Sequence, residues 1–405
     1  MKRHTKLVAA MLIIAMSLAL VGCVSATPAA ATTGTSSDTP AVTEEGTTTE
    51  TTEAATEAAP AYDVIDQTFK IAWMGWGDMD YVGGGITAYC KYLDEQMPEI
   101  EFVFSDAGLR GSDAMVAEAE ALCQSGVDAI IPYLPSAAMA DVCKKYGVWL
   151  GAGTNLISDQ SLLDYLDASG IWLGYCPHGN EESEGAAAAQ SMYDLGDRNF
   201  VIIATDPGHP AGDARYKGAM DFLKSKPDAT ILGVFQGTDG AQGLSDLVAL
   251  YGNKIQAVVK TSTSQLHSLE GAVAVMAAAG VNAHFAVTDV CVTAADFFDA
   301  GSLVFINGGD QIDAGVMIVP AINALMGYYE GPVYLYPNYL RQYSSAEVKE
   351  FDKWVVGSLP AFTADELRAY LKCYNPDATN ASYKEYIESN FTIQSISERH
   401  AGMIN

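Results

Sequence analysis

The residue types that most often carry catalysis are present in this sequence, but not in catalytic spacings. No GxSxG nucleophile turn, Walker A loop or HExxH pair occurs, and no two of the six histidines stand where one helix face would offer both imidazoles to a metal. Beyond Cys23 the cysteines are Cys90, Cys123, Cys143, Cys176, Cys291 and Cys373, widely spread and without a CxxC pair. Cys123 and Cys143 fall in neighbouring predicted helices, so a single bridge is an option beside buried free thiols. Gly75-x-Gly77-x-x-Asp80 follows a β-rich run as a dinucleotide-binding turn does, but Asp80 stands in place of the third glycine. The expectation is therefore no enzyme, no cofactor and no metal, with whatever chemistry there is lying in recognition.

The charge balance narrows the partners. With 22 Lys+Arg against 50 Asp+Glu the formal charge is −28, and no basic footprint for nucleic acid exists. After Lys2, Arg3 and Lys6 no Lys or Arg appears until Lys70. Those three precede an apolar run over residues 7–21, too short to span a membrane comfortably, which reads as an export signal. The run closes Leu20-Val21-Gly22-Cys23, which resembles the lipobox of bacterial lipoproteins. That resemblance implies loss of residues 1–22 and a diacyl thioether on Cys23, holding the chain to the outer face of a cell membrane. An ordinary secretory signal and a retained anchor helix are the alternatives. Residues 23–66, mostly Thr, Ala, Ser, Glu, Gly and Pro, bury too little to offset ordering entropy and read as a disordered tether. Its coil reach is roughly 35 Å, and a threonine-rich tether after a lipobox points to a Gram-positive-type surface.

The full sequence is 49% apolar and rich in glycine, and the chain beyond the tether is long enough for two cores. Phe69 to Met74 reads as a strand, followed by a helix to about Met97 and a strand over 101–104. A helix then begins at Ser112 and stops at Gly126. Val127-Asp128-Ala129-Ile130-Ile131 has the continuous apolar character of a strand buried on both faces. Strands at 148–151 and 172–175 follow, and after them the alternation restarts: helix 186–195, strand 200–204, helix 215–224, strand 230–235, helix 244–250, strand 255–259, helix 269–279, and strands 284–287 and 303–306. Such βαβ repetition requires parallel sheets, and about ten strands fit two doubly wound lobes better than one.

Order and spacing over residues 67 to about 330 resemble the type I periplasmic binding proteins, the ribose- and galactose-binding branch of the solute receptors of ABC transporters. The stretches that carry the likeness are Gly126-Val127-Asp128-Ala129-Ile130-Ile131, Gly174-Tyr175 with Asn180 and Gly185, and Ala214-Arg215-Tyr216-Lys217-Gly218. The resemblance implies an α/β fold of two Rossmann-like lobes with parallel sheets, joined by three hinge crossovers near Cys176, Gly308 and Pro332, with a ligand between them. Lobe 1 would comprise residues 67–176 and 309–332. Lobe 2 would comprise 177–308 and 333–405, the latter ending in a C-terminal helical extension over about 345–356, 364–373 and 382–389.

The family's ligand positions carry over one at a time. After the first strand stands Trp76-Gly77-Asp78-Met79-Asp80-Tyr81, where Trp76 or Tyr81 would supply a stacking plane and Asp80 an acceptor. After the fourth strand, Thr154-Asn155 replaces the Asp-Arg pair of sugar binders, which departs from a ribose or galactose pattern. Arg215 matches the arginine whose guanidinium forks onto the ligand. Ser262 and Thr263 replace an Asn-Asp pair, Asp289 matches an acceptor of ligand hydroxyls, and Gly309 with Asp310 and Gln311 stands where many members have glutamine. His178 and His209 flank the cleft. One arginine against two aspartates suits a polar, uncharged ligand.

The function this implies is a monomeric extracellular receptor that closes over a small carbohydrate-like ligand and delivers it to the permease of an ABC transporter. The same fold would serve a surface signal receptor for an autoinducer-like molecule or a nucleoside.

Overall fold

Ala129–Pro132 is buried along its whole length, as the apolar run there requires, and it lies inside the first of two sheets. The computed structural model describes residues 65–77, 80–109, 112–263 and 267–403. The export signal, Cys23 and the tether up to residue 64 lie outside the described residues. The two sheets and the cleft between them belong to one unit, Pro60–Asn405.

In the first lobe β1 (Phe69–Met74), α1 (Tyr81–Gln96), β2 (Ile100–Ser105), α2 (Ser112–Ser125), β3 (Ala129–Pro132), α3 (Ala137–Tyr146), β4 (Trp149–Gly153), α4 (Gln160–Ala168) and β5 (Trp172–Cys176) follow in strict alternation. The second lobe repeats it with α5 (Glu181–Asp194), β6 (Asn199–Ala204), α6 (Pro210–Lys224), β7 (Thr230–Gln236), α7 (Gly240–Tyr251), β8 (Ala257–Lys260), α8 (Leu269–Ala278), β9 (His284–Thr288), α9 (Ala294–Asp299) and β10 (Leu303–Gly308). The chain then returns through α10 (Asp313–Val316), α11 (Ile318–Leu325) and β11 (Val333–Tyr334) to the first lobe, and crosses again to β12 (Leu340–Gln342) and α12 (Ser345–Phe351). Three last helices follow, α13 (Ala364–Arg368), α14 (Asn380–Asn390) and α15 (Ile393–Arg399).

The strand orders are β11-β5-β4-β3-β1-β2 and β12-β10-β9-β8-β6-β7. All pairings are parallel except β10 with β12. Each sheet therefore changes winding direction between its fourth and fifth strands, β3 beside β1 and β8 beside β6, and the crevice outside the carboxyl ends of those strands is where such sheets bind ligands.

Two helices begin several residues before the apolar periodicity does. Asn180 caps α5 by accepting from the Ser183 N–H at 3.1 Å, and His209 caps α6 through Nδ1 accepting from the Gly212 N–H at 3.0 Å, with Pro210 in the first helical turn. The earlier starts matter, because they bring Glu181 and Arg215 inside helices facing each other. Those helices approach closely: a Cβ on Gly185 would lie 1.8 Å from the Arg215 carbonyl oxygen, and one on Gly218 1.8 Å from that of Glu182.

The C-terminal extension departs from expectation. Assigning all of 333–405 to the second lobe is corrected: β11 pairs with β5 of the first sheet, so the third crossover lies between Tyr334 and Leu340, beyond Pro332. Only β12 and α12 sit on the second lobe, where Ser345 Oγ donates to Asp299 at 2.6 Å. From Ala361 onward the extension packs on the first lobe. Tyr89 Oη donates to the Phe362 carbonyl at 2.9 Å, the Arg368 guanidinium grips Glu99 at 2.8 and 3.0 Å, and Lys384 Nζ donates to the Tyr334 carbonyl at 2.6 Å. Residues 352–360 thus form a fourth passage between the lobes, and Tyr81 Oη of α1 donates to Asp352 in it. Polar patterning alone could not assign these helices, because their apolar faces fit either lobe.

Gly218→Ala is expected to lower stability by about 3 kcal/mol, the upper range for overpacking, because the obstructing atom is backbone. Urea unfolding measures it, and an unchanged midpoint would show that α5 and α6 can separate without cost.

Candidate ligand-binding site

Arg215, 4% exposed, stands in the second turn of α6 at the base of the cleft. Its Nε donates to Glu181 Oε2 at 2.6 Å, one Nη1 proton goes to the Thr261 carbonyl at 3.1 Å and another to Asp289 Oδ1 at 3.0 Å. Nη2 serves Glu181 Oε1 at 3.4 Å and Tyr339 Oη at 2.8 Å. A guanidinium has five N–H donors, and all five are taken. The fork predicted to meet the ligand is instead closed on protein acceptors, because Glu181 enters α5 at its first turn and Tyr339 arrives from the third crossover. Arg215 therefore positions Asp289 and Tyr339.

Asp289 follows β9 with φ of 73°, and Thr154 follows β4 with φ of 74°; these are the two non-glycine residues of positive φ among the described residues. Such conformations persist where surroundings over-determine them, often at binding sites. For Asp289 the restraint is Asn307 on β10, whose Oδ1 accepts the Asp289 N–H at 3.1 Å while its Nδ2 donates to Glu184 at 2.8 Å. Thr263 Oγ1 also donates to the Asp289 carbonyl at 2.9 Å. Thr154 is held by its N–H to the Cys176 carbonyl at 3.1 Å.

The first lobe supplies the aromatic wall. Trp76 Nε1 donates to Asp80 Oδ1 at 3.0 Å, and the same oxygen caps α1 at the Gly83 N–H, so Asp80 both starts the helix and fixes the indole. Tyr133, after β3, meets Trp76 edge-on with centroids 4.8 Å apart. Across the cleft its hydroxyl lies 2.9 Å from His209 Nε2. Since His209 Nδ1 accepts from Gly212, the ring proton belongs on Nε2 and donates to Tyr133. Burial and the nearby Arg215 charge depress the His209 pKa, which favours this neutral form.

A cavity of about 800 Å³ lies between the lobes, and Trp76, Asp80, Tyr81, Thr154, Asn155, Arg215, Ser262, Thr263, Asp289 and Asp310 all line it. Sequence reasoning missed Tyr133 and Glu270 in the lining, and Met115, Met139 and Val290, which make much of its wall apolar. It also missed Glu181 and Tyr339, which hold Arg215. The Asn180 cap was the available signal for Glu181; for Tyr339 there was none.

Beneath the floor His178, fully buried, pairs with Asp313, Nε2 to Oδ1 2.7 Å. Burial opposes the imidazolium, but Asp313 outweighs it and lifts the His178 pKa to about 9. His178, Asp310 and Asp313 place one ligand atom each within 4.8 Å of one another, a group able to hold a cation.

No family model and no curated protein matches the sequence. Solved structures do match. An ABC transporter periplasmic solute binding protein from Actinobacillus succinogenes 130z with bound D-allose aligns with a TM-score of 0.60 at 16% identity, over 69% of this chain and 99% of its own. A periplasmic sugar-binding protein from Pseudomonas fluorescens gives 0.62 at 13% identity, over 81% and 99%. The fold is that of the type I periplasmic binding proteins. A third neighbour of this fold, an ABC transporter solute binding protein from Bacillus halodurans C-125 with bound myo-inositol, gives 0.58 at 15% identity, over 71% and 98%. Within the type I fold, the cavity described above opens at the switch points of both sheets.

Arg215→Ala is expected to destabilise the protein by about 3–5 kcal/mol, since it strands Glu181 and Asp289 without their countercharge. Thermal or urea unfolding checks this; a variant as stable as the parent would show that the knot is not needed for folding.

Proposed function

We propose that the protein is an extracellular, lipid-anchored solute receptor that closes its two lobes over a small polyhydroxylated, sugar-like ligand and hands it to the permease of an ABC transporter. The observation that carries this reading is the gathering of ten side chains, from the turns after β1, β4, β8, β9 and β10, the start of α1 and the second turn of α6, around one cavity between two lobes. Hinge closure about crossovers is the motion of such two-lobed binders. Neighbours solved with D-allose and myo-inositol support a polyol-like ligand, as does a galactofuranose binding protein aligned at a TM-score of 0.59 and 13% identity. Trp76 and Tyr133 offer ring planes or edges to the CH face of a sugar, and Asn155, Ser262 and Asp289 offer polar partners to its hydroxyls.

A thermal-shift screen over pyranoses, furanoses and inositols, together with their amino derivatives, tests the binding reading, because a ligand bound only by the folded state raises stability by RT ln(1 + [L]/Kd). A hit is expected, and Asn155→Ala should weaken its affinity at least tenfold with little change in the melting temperature of the unliganded protein. A screen in which no polyol shifts the transition would overturn the reading.

The anchor is tested separately by Cys23→Ser, which should release the protein to the medium. Retention at the membrane would remove the lipid from the proposal.

A further inference from the structure

The cavity leaves two buried acceptors unfilled, beside the unpartnered hydroxyl of Thr205. Arg215 has no N–H left for a ligand, and His209, the other basic side chain among the described lining residues, has both ring nitrogens engaged. Asn155 Oδ1 and Asp310 Oδ2, by contrast, are buried without a hydrogen-bond partner among the described residues. Both residues line the cavity and are at most 5% exposed.

The charges are as one-sided as the hydrogen bonds. Four carboxylates, Asp80, Glu270, Asp289 and Asp310, face the cavity against the single Arg215 guanidinium among the described lining residues, and that guanidinium is already shared with buried Glu181. The imidazole of His178 does not relieve Asp310 by direct contact, because its Nε2 is committed to Asp313. Asp310 Oδ1 accepts from Tyr339 Oη at 3.4 Å, and Oδ2 is left as a buried oxygen with no partner, which is costly for a carboxylate. Burial, aided by Asp313 and Asp289, pushes the Asp310 pKa up to about 7 despite the opposing pull of His178 and Arg215. Trp76 and Tyr133 line the same cavity, and aromatic faces attract cations.

From the unfilled acceptors and the excess of carboxylates we infer that the ligand is not a neutral sugar but a cationic one, a polyhydroxylated amine of the amino-sugar class. Its ammonium donates to Asp310 Oδ2 at the base of the cleft, and a neighbouring hydroxyl donates to Asn155 Oδ1. This rests on the sugar-receptor reading and refines it.

The test uses the full chain and matched sets of probes: D-glucosamine, D-galactosamine and D-mannosamine, their N-acetyl forms and the neutral parent hexoses, by calorimetry at pH 7.5. At least one amine should bind tenfold or more tightly than both its N-acetyl and its neutral counterpart, and that preference should shrink in Asp310→Asn. Should the Asn variant fail to fold, the preference among amine, N-acetyl and neutral forms in the parent protein decides the point. Neutral hexoses binding as tightly as their amines would overturn the cationic ligand and leave the sugar receptor standing. No binding by either set would overturn both. A melting temperature raised by zinc or manganese but by no amine would assign the His178, Asp310 and Asp313 group to a metal and overturn the inference as well.

Discussion

A single buried guanidinium organises the base of the cleft. Arg215 draws Glu181 from α5, the Thr261 carbonyl from the end of β8, Asp289 from the end of β9 and Tyr339 from the third crossover onto one plane of five donors. Each partner belongs to a different segment, so cavity-lining Asp289 is held in register with the hinge by one side chain. The interaction is possible only because Gly185 and Gly218 let α5 and α6 approach to backbone contact. A fixed fork in a dry environment gives definite geometry where a flexible ammonium would not. The cost is that the guanidinium's donor capacity is spent before any ligand arrives.

That expenditure shapes the chemistry of the rest of the site. With the guanidinium donors consumed, Asn155 Oδ1, Asp310 Oδ2 and the Thr205 hydroxyl are the unpartnered polar atoms of the lining, and the walls above are aromatic and aliphatic. The His178 and Asp313 pair lies just below, between the first and second crossovers, where changes of charge and changes of hinge angle would be felt together. The C-terminal extension adds a further constraint, passing from α12 on the second lobe to α13, α14 and α15 on the first. A two-lobed body with four passages instead of three has less freedom to splay, and the hydrogen bond from Tyr81 to Asp352 ties the cavity rim to that fourth passage.

The legible part of this architecture was the part governed by short-range pattern. Apolar runs such as 127–131 announced strands buried on both faces, and their alternation with helical periods announced two parallel sheets. The residues after strand ends, Trp76, Thr154, Ser262, Asp289 and Asp310, were identifiable through the resemblance to the type I periplasmic binding proteins, whose ligand positions lie there. What escaped was set by contacts between distant segments. Glu181 lies outside the periodic part of its helix and becomes helical through the Asn180 cap. Tyr339 sits in an irregular stretch whose sequence shows nothing of the arginine it meets. The last helices are amphipathic without any mark of which lobe they cover.

The sequence by itself determined the class of fold and the succession of its strands and helices, because hydrophobic periodicity is a local property of the chain, and its resemblance to the type I periplasmic binding proteins pointed to ten of the side chains that line the cavity. Tertiary structure alone decided what those side chains are free to do. Whether a guanidinium offers its donors to a ligand or to its own protein depends on which carboxylates and hydroxyls fold against it, and those come from residues as far apart as Glu181 and Tyr339. Hydrogen-bond capacity is finite, and its allocation is a property of packing.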